Sequence, residues 1–281
     1  MDRLFPLDAD RLQGLAASIR ERGCGLVLCD IAPMGIEVAR AAGLPSVLLE
    51  NFTWDWIYEA YAIDGMKRQA RYLAGVFEQA DHRIQAEPVC RFRPGAHQVR
   101  PISRRPRSPA REVRMALGVP EGMPLVLVTL GGVRGDYGFL ERLARKRGIR
   151  FVVPGASKGA VTREGSLILL SRHSGHYHPD LVCAADAVVG KAGYSTLAEV
   201  YRAGVPFGHI LPEGFRESAV LAGFIRERMP GMPISEDRFR RAAWLEDLPD
   251  LLALPRTHPS GPDGAREVSR VLLEVLRQAP S

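Results

Sequence analysis

The chain has 281 residues, 46% hydrophobic and 25% charged, the composition of a folded globular protein with room for two modest domains or one large one. Its net charge of +6 comes from 38 basic and 32 acidic residues, all but four of the basic ones Arg, and reads either as a solvated surface or as an attraction to anionic partners such as phosphates, acidic lipid or nucleic acid. No apolar run approaches the ~20 residues of a membrane span, and Met1-Asp-Arg-Leu-Phe-Pro-Leu-Asp8 has no signal-peptide pattern. A cytoplasmic protein is expected.

Residues 10–22 read as a helix, and Gly25-Leu-Val-Leu-Cys-Asp30 as a buried strand ending in a carboxylate. Residues 33–42 have Pro near a first helical turn and Gly43 past the end. Residues 45–50 are the next strand. Asn51-Phe-Thr-Trp-Asp-Trp-Ile-Tyr58 leads into one long helix running towards Gln79, and 82–86 form a third strand. Such alternation predicts βαβ units and a parallel sheet. Residues 91–109 hold four prolines and many arginines without an apolar period, and read as an interdomain crossing.

A second α/β series follows. Strands are expected at 124–130, 150–153, 166–170, 187–189 and 206–211. Helices are expected at 136–147, 179–185, 195–203 and 217–227, with a closing amphipathic helix at 263–278. The two domains are drawn as 1–108, including the linker, and 109–281.

The richest segment is Asp186-Ala-Val-Val-Gly-Lys-Ala-Gly-Tyr-Ser-Thr-Leu-Ala-Glu199. It reads as strand, small-residue turn and helix start. Gly190-Lys-Ala-Gly193 leaves room for a ligand backbone. Ser195 and Thr196 sit where free N–H groups and the helix dipole favour a phosphate. Glu199, one turn further in, offers a carboxylate to a ribose diol. The plainer reading also stands: strand–Gly–helix turns occur throughout α/β folds, and Ser or Thr there is often only a cap.

These residues resemble the donor-binding domain of GT-B-fold glycosyltransferases, in the style of the N-acetylglucosaminyltransferase that completes the peptidoglycan lipid precursor. Thr129-Leu-Gly-Gly-Val133, Ala203-Gly-Val-Pro206 and Phe215-Arg-Glu217 carry the likeness together with the 186–199 run. In the first half, Asp30-Ile-Ala-Pro-Met-Gly35 and Leu49-Glu-Asn-Phe-Thr-Trp-Asp-Trp-Ile-Tyr58 resemble the glycosyltransferase-like N-terminal region of plant arabinose kinases. The resemblance implies an α/β protein of two Rossmann-like domains. It also implies transfer of a sugar from a nucleotide donor, UDP-linked by preference, to a glycan, lipid-linked or small-molecule acceptor. Such proteins begin with a further strand and a Gly/His-rich turn, and this chain starts in the helix that follows. An incomplete N-terminal domain is therefore expected.

By resemblance, the nucleotide-sugar set is Gly131, Gly132, Arg134, Ser171, His173, Gly193, Tyr194, Ser195, Thr196, Glu199 and Glu217. Asn51 and Trp54 fall on the acceptor side, and Asp30 or Asp55 is the candidate base. Trp54, Trp56 and Tyr58 either form a platform for a sugar ring or pack the helix on its sheet. Asp30 either serves the cleft or caps the next helix. No Asp-x-Asp motif lies in a suitable loop, so neither a metal nor another cofactor is expected. His173, His176 and His178 have only Asp180 for company, and read as a loop near the nucleotide rather than a metal site. The arginines of 91–114 read as a solvated linker, or as a contact with the inner face of an anionic membrane. No motif for specific nucleic-acid binding accompanies them. The rival readings are a nucleotide-sugar epimerase or hydrolase of the same fold, and a binding remnant without catalysis.

Overall fold

A computed structural model describes residues 6, 8–129, 139–157, 159 and 161–278. The chain divides into two compact units: residues 1–102 with 215–220 and 262–281, and residues 103–214 with 221–261.

In the first unit, the Asp8 side chain accepts from the Arg11 N–H and caps α1 (Ala9–Glu21). Strands β1 (Val27–Asp30), β2 (Ser46–Glu50), β3 (His82–Ala86) and β4 (His97–Val99) form a parallel sheet in that order. Helix α2 (Pro33–Ala42) connects β1 to β2. Cys29, Ile36, Leu48, Leu73, Val76 and Phe77 make the core on one face.

The expected long helix is two: α3 (Trp54–Glu59) and α4 (Asp64–Phe77). Packing explains the break. Trp54 and Tyr58 lie against the cluster that holds Leu73, Val76 and Phe77. In one straight helix, Tyr58 and Leu73 would stand roughly 22 Å apart. Residues 97–99 are likewise a strand within what reads as linker.

The second unit opens with α5 (Ala110–Ala116), directly after the residues read as a crossing. Its sheet has the order β11-β10-β9-β5-β6-β8-β7. The strands are β5 (Leu125–Thr129), β6 (Arg150–Ser157), β7 (Thr162–Glu164), β8 (Leu167–Ser171), β9 (Ala187–Lys191), β10 (Phe207–Ile210) and β11 (Gly231–Pro233). Only β7 runs antiparallel to its neighbour. β7 and β11 are short, three residues each, and carry no apolar period to announce them. Around the sheet lie α6 (Leu140–Arg145), α7 (His178–Ala184), α8 (Tyr194–Ala203), α9 (Ser218–Arg228), α10 (Glu236–Arg240) and α11 (Leu248–Ala253). Every residue of β5 is buried, and separate apolar clusters contain alternate residues of that strand, as a sheet covered on both faces requires.

From β5 the chain fills one side of the sheet through β6 and β8, then returns to β9 on the other. That reversal is the topological switch point, beyond whose carboxyl strand ends open α/β sheets bind ligands. Thr129 and Gly190 are paired there. A Cβ on Gly190 would lie 2.0 Å from the Thr129 carbonyl oxygen. This glycine therefore serves the approach of two strands, whereas the sequence assigns its room to a ligand. At Gly193 a Cβ would meet nothing within 4 Å. Helix α8 stops at Gly204, whose φ of 64° is left-handed and whose Cβ would clash with the Thr257 carbonyl.

The closing helix α12 (Gly264–Gln278) belongs to the first unit and not to the second half from which it was read. Glu267 accepts from the Arg100 backbone N–H at 2.8 Å and from its guanidinium at 3.0 Å. Val268 and Val275 are its buried apolar residues. Among the described residues, no helix is long and apolar enough to cross a membrane.

Candidate functional site

In the second unit, the site grows from α8 at the switch point. Gly193 is its N-cap and supplies no side-chain hydrogen bond to the first turn. Tyr194 is half-buried, Ser195 exposed and Thr196 buried. The next turn carries Glu199, whose side chain is only 3% exposed.

Both oxygens of Glu199 are engaged. Arg104 donates to Oε1 from Nε at 3.0 Å and from Nη2 at 2.8 Å. His178 Nδ1 lies 2.6 Å from Oε2. Burial pushes the Glu199 carboxyl up, but the hydrogen bonds and charges of His178 and Arg104 outweigh it and hold the carboxyl below its ordinary value. An ionised carboxylate only accepts, so Nδ1 is the protonated nitrogen of His178 in this contact.

Arg104 is held in turn by a short strap. The Arg107 and Ser108 backbone N–H groups donate to Asp180 Oδ1 at 2.6 and 3.2 Å. The Arg104 and Arg107 guanidinia lie 5.2 and 4.1 Å from the Tyr177 ring centre, at cation–π distance. Ser171 ends β8, half-buried, and His173 is exposed in the loop after it. Gly131, Gly132 and Arg134 lie outside the described residues.

Sequence reasoning misses Arg104 and undervalues His178. His178 carried a signal, since it precedes Pro179 at the helix start and joins the His-rich loop. Arg104 carried none beyond its place in an arginine run. That run is not a solvated linker. Arg91 pairs with Asp55 and Glu59, Arg93 with Glu78, Arg100 with Glu267, Arg104 with Glu199 and Arg114 with Asp186. Among the described residues, no three His, Cys, Asp or Glu side chains converge as a metal would require.

In the first unit, the structure joins two residues the sequence assigns to opposite substrates. Asn51 Nδ2 donates to Glu217 Oε1 at 2.7 Å, and both side chains are buried. Burial raises the Glu217 carboxyl, and the Asn51 amide offsets only part of that. The Cys90 N–H donates to the Asn51 carbonyl at 2.7 Å, and burial beside Glu217 and Glu50 pushes the Cys90 thiol up to about 12.

Asp55 is 1% exposed, with Oδ2 3.2 Å from Arg91 Nη1 and a buried Oδ1 that has no partner. Asp30 is exposed at the end of β1. Trp54 stacks on Tyr58 at 5.8 Å and meets Phe52 edge-on at 5.2 Å, which is the packing role. The Arg216 guanidinium lies 4.3 Å from the Trp56 ring centre and donates to the Trp56 carbonyl.

The fold is that of the GT-B glycosyltransferases. The glycosyltransferase VinC in complex with dTDP matches with a TM-score of 0.56 at 17% identity, over 96% of this chain and 76% of VinC. Arabidopsis thaliana UGT89C1 complexed with UDP matches with a TM-score of 0.62 at 13% identity, over 95% and 76%. In sequence, the chain is 26% identical over 255 residues to an L-arabinokinase of Arabidopsis thaliana, covering 89% of this chain. It spans only 24% of that relative's length. No family model matches the chain.

Proposed function

We propose that the chain is a glycosyltransferase that takes its sugar from a nucleoside diphosphate donor, UDP-linked by preference, without a bound metal. The observation that carries this reading is Glu199, a buried, ionised carboxylate one turn into α8 at the switch point of the second sheet. Hydroxyls of the nucleotide sugar are the natural donors to such a group. The first turn of α8 has no side-chain cap, and its N–H groups and dipole suit the diphosphate.

In the reaction, an acceptor hydroxyl oxygen bonds to the anomeric carbon. The bond from that carbon to the diphosphate oxygen breaks, and the diphosphate leaves with the electron pair. Preorganised helix dipoles stabilise that developing charge. The hydroxyl proton passes to a base. Asp30 is the accessible choice of the two carboxylates read from sequence, since Asp55 is buried against Arg91. Solved structures of similar fold hold UDP and dTDP, which supports the donor class.

Calorimetric titration of UDP, with GDP and ADP as controls, tests the reading. UDP-selective binding that Glu199→Ala weakens by about 100-fold is expected. Folded protein that binds no nucleotide overturns it. Nucleotide binding without sugar transfer to any acceptor would favour the non-catalytic reading, and released free or epimerised sugar would favour a hydrolase or epimerase.

A further inference from the structure

The lone pairs of Glu199 say more about the donor, given the nucleotide site just proposed. An ionised carboxylate offers about four acceptor positions. Arg104 takes two on Oε1 through Nε and Nη2, and His178 takes one on Oε2. One position is left, on Oε2. A ribose presents two adjacent hydroxyls, and a free carboxylate receives one on each oxygen. A 2′-deoxyribose presents a single hydroxyl to such a group.

We propose that Arg104 is a specificity-determining residue: by filling Oε1 it limits Glu199 to one sugar hydroxyl, so the site takes 2′-deoxynucleoside diphosphates about as well as ribonucleoside diphosphates. The geometry keeps Arg104 in that role. Its guanidinium is charge-matched to a carboxylate only 3% exposed. Its neighbours Arg107 and Ser108 are tied through their backbone to Asp180. Its own guanidinium lies on Tyr177. A ribose needing both oxygens must displace a charge-assisted contact, and a hydroxyl is a weaker donor than a guanidinium.

The test is calorimetry of UDP and dUDP against the full chain and its Arg104→Met, Arg104→Gln and Glu199→Ala variants. Wild type should bind the two within about threefold of each other. Arg104→Met, with Oε1 freed for the second hydroxyl, should prefer UDP by about tenfold or more. Arg104 is 58% exposed, so Met keeps its stem packing at little risk to folding, and Gln provides a second uncharged variant. A tenfold preference for UDP in wild type overturns the proposal, as does an Arg104→Met ratio equal to that of wild type. Failure of the nucleotide site itself is distinguishable. Neither nucleotide would then bind folded wild type or Arg104→Met, or both would bind Glu199→Ala as tightly as wild type.

Discussion

Three glutamates in this molecule are equally hidden, Glu50, Glu199 and Glu217 each being 4% exposed. They differ in charge preference. Glu199, in the second unit, is held below its ordinary value by its contacts with His178 and Arg104, against the upward push of burial. Glu217, in the first, has only the neutral Asn51 amide and is pushed up by burial. Glu50 is also raised by burial, although Arg83 Nη1 lies 2.6 Å from Oε1. Depth alone does not decide whether a carboxylate stays charged. For Glu50 the arginines and the Gln85 amide do not offset the lost water, whereas for Glu199 the contacts from Arg104 and His178 do.

The contrast is sharpest in binding. Glu199→Ala should weaken UDP by about 100-fold, the loss expected when a charged acceptor disappears from a sugar contact, while Glu217→Ala should change UDP affinity far less. Calorimetry on both variants checks this, and equal losses would erase the distinction. Next comes stability. Glu199→Gln should cost roughly 2 kcal/mol, because Arg104 and His178 then meet a neutral amide in place of a carboxylate. Glu217→Gln should stay within about 1 kcal/mol of wild type, since an amide avoids the burial of charge. Urea denaturation near neutral pH measures both.

The pH dependence should have opposite signs. For Glu217, folded protein keeps a proton above the ordinary value of 4.5 that unfolded chain has already released. Its contribution is therefore full below that value and is lost as pH rises through the folded one. For Glu199, stability is present above 4.5 and is lost as pH falls below it through the lowered folded value. Wild type should lose more stability than Glu217→Gln between about pH 4.5 and pH 7, measured as paired denaturation midpoints. Last comes Arg104→Met. Its guanidinium is more than half exposed and recovers water, and Glu199 keeps its His178 contact, so the stability change should be at most about 2 kcal/mol.

Much of the fold was legible because its signals are local. Gly25 to Asp30, the 124–130 run and the 186–204 segment carry strand and helix boundaries in their own residues. The misses share a cause. β4, β7 and β11 are three-residue strands, specified by neighbours they pair with rather than by an apolar period. The break between α3 and α4 depends on Trp54 and Tyr58 meeting residues some fifteen positions away. At the site, Glu199 could be read because a helix start brackets it. Its partner Arg104 is 95 positions distant in an arginine run, and only the fold tells it from its neighbours. Asn51 and Glu217, 166 positions apart, were separated for the same reason.

Helix α12 has a consequence for how the chain is made. Its Glu267 ties to Arg100 across 167 positions, with the bulk of the other unit encoded in between. A ribosome delivers the β4 edge long before it delivers the helix that closes it. Of the two units, the one whose sheet is translated first is thus completed last, when Val268 and Val275 have been added.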